Sequence, residues 1–156
     1  MRSGWAVTLL GVVLVALVAP SMVRAQKPPD ALESMDAEWS GIQTDLLEVK
    51  RMSDNTVRVR WRWRNTTDKA VHLLSSSDAA KALKEDAYLI DAKNKKKHFS
   101  VTDAQGKVIG TALGFTDLAP KQTIAVWAKF PAPPADVDQI TVVVPRTPPF
   151  EDVALK

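Results

Sequence analysis

The clearest pattern in the chain lies between Thr56 and Arg64. Val57, Val59, Trp61 and Trp63 alternate with Arg58, Arg60, Arg62 and Arg64. A period of two sends the apolar set to one face of a strand and the arginines to the other, whereas a helix would scatter both around its circumference. Ile42 to Val49 carries β-type residues between Gly41 and the turn-forming Ser53-Asp54-Asn55. Asn65-Thr66-Thr67-Asp68 closes the arginine strand, and Ala70 to Leu74 predicts a short further one. From Ser75 to Glu85 the pattern changes. Ser77 or Asp78 is expected to cap a short helix through Ala79, Ala80, Ala82 and Leu83.

Strand signals then return at Tyr88 to Asp91, Lys97 to Thr102 and Val108 to Thr111. The turns between them are Ala92 to Lys95 and Asp103 to Gly106, with Gly106 suited to a positive φ. After a loop at Leu118 to Lys121 come strands at Thr123 to Phe130 and Gln139 to Val144. Pro131 to Pro134 and Pro145 stop them, because proline donates nothing to a ladder. Pro148-Pro149-Phe150 begins an extended tail. Seven or eight short strands with turns between them predict an all-β antiparallel sandwich. The one helix does not alternate with strands, which argues against a parallel βαβ fold. The expected core is Ile42, Leu46, Val57, Val59, Trp61, Trp63, Leu89, Val126, Phe130, Ile140 and Val142.

The N-terminus changes the picture of location and charge. Arg2, the apolar run Ala6 to Val18, the break at Pro20-Ser21 and the site Val23-Arg24-Ala25 form a secretory leader pattern. Residues 1–25 are expected to be removed, which places the mature chain in the periplasm or outside the cell. The run is short of the roughly 20 apolar residues a span requires, so no integral membrane span is expected after cleavage. An uncleaved anchor is the alternative. Residues 26–38 read as a flexible N-terminal arm, and 39–153 as the sandwich. Two of the 21 basic residues, Arg2 and Arg24, fall in the leader and none of the 18 acidic ones does. The mature net charge is therefore +1, which gives no support for nucleic-acid binding. With no cysteine in the chain, a lipid-anchored cysteine and disulfides are both excluded, and the apolar core alone must hold the fold.

The second half carries a family-like pattern. Its blocks are Tyr88-Leu89-Ile90-Asp91, Lys97-His98-Phe99, Thr102 to Gly106, Leu118 to Gln122, Trp127 to Pro134, Ile140 to Pro145 and Pro148 to Val153. Together they resemble bacterial exported domains of immunoglobulin-like, telokin-like type, mostly of unknown function, similar to domains found beside OmpA-type envelope domains. The resemblance spans roughly residues 46–153 and implies an immunoglobulin-like fold. Lys121 stands where such a turn usually carries glycine, so the backbone there is expected to do without a positive φ. No OmpA-type domain accompanies the pattern here, so peptidoglycan anchoring is not implied. The family supplies no catalytic residues.

Candidate sites have to be weighed against simpler readings. Arg58, Arg60, Arg62 and Arg64 stand about 7 Å apart on one strand face. Such a row can bind phosphates or carboxylates bidentately. It can equally be a solvated face neutralised by acids from a neighbouring strand, and this reading is favoured. Trp127 points away from the core by the alternation of its own strand, and cation–π stacking with the row is expected if the strands share a sheet. Trp61 and Trp63 read as core rather than as a sugar platform. Lys93, Lys95, Lys96 and Lys97 read as a soluble hairpin tip. His72 and His98 lack metal-ligand spacing, Asp91 and Asp103 read as turn caps, and Asn65, in a sequon, reads as a turn residue. No nucleophile–base pair stands out, so no enzyme, metal or cofactor is expected. The expectation is a non-enzymatic binding or accessory module whose partner is an envelope protein or an anionic envelope component. The alternative is a structural or stress-accessory domain with no specific ligand.

Overall fold

The computed structural model describes residues 27–113 and 117–156; the predicted leader lies outside them. The elements run β1 (Glu33–Asp36), β2 (Ile42–Arg51), β3 (Thr56–Asn65), β4 (Val71–His72), α1 (Ser76–Glu85), β5 (Tyr88–Asp91), β6 (Lys96–Phe99), β7 (Asp117–Leu118), β8 (Thr123–Pro131), β9 (Gln139–Val143) and β10 (Phe150–Ala154). Two four-stranded antiparallel sheets form, ordered β1-β2-β3-β8 and β10-β9-β5-β6, with β4 and β7 as a small third pair. This is an all-β sandwich. Among the described residues, no helix is long and apolar enough to cross a membrane.

The period of two in β3 becomes burial. Val57, Val59 and Trp61 are fully buried, and Trp63 nearly so. The first sheet sends these inward with Leu46, Val126 and Phe130; the second meets them with Leu89, Ile140, Val142 and Phe150. All eleven expected core residues are buried. Trp63 sits between two other indoles, edge-on to Trp61 at 6.2 Å and to Trp39 at 5.5 Å. Aromatic rings prefer such edge contacts, because a positive rim meets a negative face.

Several elements differ from expectation. Residues 33–36 are not a loose arm: β1 pairs with β2 from Glu33↔Leu46 to Asp36↔Gln43. Its sequence is too polar to signal a strand, and the pairing is provided by β2. The tail also folds: β10 pairs with β9, burying Phe150 and Val153. Pro148 and Pro149 precede this strand and so do not interrupt its ladder. In contrast, residues 108–111 make only bridges, Thr102↔Val108 and Gly110↔Ala128. Gly110 lies so close to β8 that a Cβ there would come within 2.4 Å of the Trp127 carbonyl oxygen. The turn at Gly106 has its positive φ of 76°, but Lys121 also has φ 59°, contrary to expectation. Its ammonium donates to the Thr66 carbonyl at 2.7 Å and pairs with Asp68 at 3.1 Å, holding a conformation glycine would adopt more easily.

The helix cap lies two residues before the nearer of the two predicted ones. Ser75, not Ser77 or Asp78, is the N-cap, and its Oγ accepts from the Asp78 N–H at 3.2 Å. Ala79, Ala82 and Leu83 form the buried stripe. Ser75→Ala is expected to lower stability by about 1 kcal/mol, read as a shift of the urea midpoint, because it removes the acceptor of that N–H.

Candidate functional site

The first sheet's outer face is built by the register of three strands. Arg64 lies across from Gln43 and Thr123, Arg62 from Asp45 and Ala125, Arg60 from Glu48 and Trp127, Arg58 from Lys50 and Lys129. A β-bulge between Leu46 and Glu48 inserts Leu47, so that Asp45 and Glu48, three residues apart, both reach this face. All four arginines are on the face the alternation assigned them.

Three of the four are neutralised. Asp45 is fully buried and forms the centre of a network. It accepts from Arg62 Nε at 2.7 Å, Arg64 Nε at 2.6 Å and Ser34 Oγ at 2.6 Å. Arg62 also grips Asp30 through both terminal nitrogens, at 2.7 and 2.8 Å. Arg64 reaches Gln43 Oε1 at 2.7 Å. Arg58 donates to Glu48 at 2.7 Å. Burial pushes the Asp45 carboxyl up, but hydrogen bonds from Arg64, Ser34 and Arg62 outweigh it and hold the group below its ordinary 3.8. The Arg58 hydrogen bond likewise holds Glu48 down.

Arg60 is the exception. It is exposed, and among the described residues it has no hydrogen-bond or ion-pair partner. Trp127, half-buried and outward as predicted, is its neighbour across the ladder. The expected cation–π stacking of the row on Trp127 is not formed. The cation over a ring among the described residues is Lys97, 4.3 Å from the centre of Tyr88.

The remaining candidates fall into structural roles. Trp61 and Trp63 are core. Asp91 caps its turn, accepting from the Asn94 backbone at 3.0 Å and side chain at 2.7 Å. Asp103 does the same for Gln105 and Lys107. Asn65 is buried, with its amide donating to the carbonyls of Lys69, Leu118 and Ala119. Lys93 pairs with Asp136. His72 pairs with Asp117 at 2.7 Å and His98 lies 3.9 Å from Asp91, on separate sheets.

Sequence reasoning missed the acids that matter, Asp30, Asp45 and Glu48. The available signal was the pair of carboxylates in β2, the strand next in sequence to the arginine row. No family model matches the chain, and comparisons with curated proteins and with solved structures likewise found no match.

Proposed function

We propose that this chain is an exported, non-enzymatic binding or accessory module of the bacterial envelope, and that it recognises an anionic partner at Arg60 and Trp127. The leader pattern and the immunoglobulin-like resemblance of residues 46–153 support the setting. One observation carries the site: Arg60 is the guanidinium of the row left unpaired, exposed beside an outward indole. A planar cation next to an aromatic face suits a phosphate or carboxylate carried on an apolar or sugar body. The other three arginines are construction, and the recognition surface is one quarter of the row.

A second reading has its own support. The pairing of Arg58, Arg62 and Arg64 with carboxylates favours a structural domain with no ligand. The two separate on Arg60→Glu and Trp127→Ala, tested for retention on lipopolysaccharide micelles and on phosphatidylglycerol vesicles. Recognition predicts that each substitution weakens retention on one of these probes by about tenfold, with unfolding midpoints unchanged. No retention of the wild type, or equal retention of wild type and variants, leaves the structural reading.

A further inference from the structure

The two outer faces of the sandwich differ sharply. The first sheet's carries the arginine row and its acids, while the second sheet turns out Tyr88 and Ile90 from β5 and Thr141 and Val143 from β9. On β6, Phe99 lies across from Tyr88 and Lys97 from Ile90. Phe99 is 49% exposed, and its ring meets that of Tyr88 at 5.6 Å. An antiparallel sheet facing water on one side normally alternates polar residues outward, so an aromatic and aliphatic strip there calls for a covering partner.

The charges at the two rims say which partner. Lys97 stands on the β6 rim. Across the sheet, the bulge of β10 between Phe150 and Val153 brings Asp152 to the other rim, where it lines one shallow depression with Ile90 and Thr141. Lys97, Ile90 and Thr141 share a row of the register. The row thus runs cation, apolar, small, anion over three strand spacings, about 14 Å. A two-fold axis parallel to the strands lays β6 of one copy over β10 of the other. Lys97 then faces the partner's Asp152, Ile90 faces the partner's Thr141, and Tyr88 faces the partner's Val143. An axis across the strands would set Lys97 against the partner's Lys97.

We infer that this face is a self-complementary interface through which two copies of the chain pair about a two-fold axis parallel to the strands. An anionic lipid surface fits less well, because Asp138 and Asp152 border the same depression and its one lysine, Lys93, is already paired with Asp136. The Arg60–Trp127 face lies on the other sheet, so dimerisation leaves it open and does not depend on it.

Sedimentation equilibrium on protein produced from the complete chain tests the pairing. The wild type sediments at twice the monomer mass, with association weakened by salt. Lys97→Asp and Asp152→Lys each raise the dimer dissociation constant about tenfold, and together they restore most of the loss. Phe99→Ser weakens the dimer without changing charge. Asp152 has φ 52°, a conformation asparagine also tolerates, so Asp152→Asn serves if the lysine variant folds poorly. A wild type monomeric at the highest soluble concentration overturns the pairing, as does a double variant no tighter than the singles. Retention of such a monomer on phosphatidylglycerol vesicles that Phe99→Ser abolishes and Arg60→Glu leaves unchanged would assign the face to lipid instead.

Discussion

Trp61→Ala is expected to lower the free energy of unfolding by about 3–5 kcal/mol, measured by urea denaturation followed by far-ultraviolet circular dichroism. The indole is fully buried and stacks edge-on against Trp63, which in turn abuts Trp39. Truncation removes apolar contact and leaves a cavity between two sheets that cannot close without moving both. For a domain of this size the loss is a large fraction of a total stability of about 5–15 kcal/mol. Trp61→Phe should cost far less. It keeps a ring in place and removes an Nε1–H that has no hydrogen-bond partner among the described residues. Equal losses for the two substitutions would mean that the indole's contacts with Trp63 matter more than the filled volume.

The second large effect belongs to Asp45. Asp45→Ala is expected to cost about 2–4 kcal/mol at neutral pH, near the range for breaking a buried ion pair and tempered by the partial exposure of Arg62 and Arg64. Two guanidiniums and the Ser34 hydroxyl lose their shared acceptor at once. The pH dependence has a definite sign. Asp45 and Glu48 are held below their ordinary 3.8 and 4.5, so the unfolded chain takes up protons first as pH falls. Their contribution is complete above those ordinary values and is lost as pH drops through the lower folded ones. Unfolding midpoints taken from neutral pH down to acid should therefore fall less steeply for Asp45→Ala than for the wild type. A variant as stable as the wild type at neutral pH would show that the arginines find water an adequate substitute.

The fold was legible where one rule governed a segment. In β3 the alternation of valine and tryptophan with arginine leaves one choice of inner face, and burial follows it residue by residue. Where pairing is donated by a neighbour, the segment itself carries little signal. Glu33–Asp36 has no strand composition, yet it completes the edge beside β2. Phe150–Ala154 was hidden behind two prolines that lie before the strand. The candidate site was half legible. Positions of Arg58, Arg60, Arg62, Arg64 and Trp127 follow from period two, but which arginine stays unpaired depends on the bulge at Leu47. That extra residue shifts Glu48 into phase with Asp45, and a strictly alternating reading places the two acids on opposite faces.

Gly110 has a further consequence. Thr111 donates to the Trp127 carbonyl at 2.8 Å, and Lys129 donates to the Ile109 carbonyl at 3.0 Å, so the strap beside Gly110 occupies outward-pointing groups of β8. Bare, this nine-residue strand would offer a template for stacking further chains into fibres. Cover for this edge thus hangs on a residue with no side chain, the one that lets the strap lie flat.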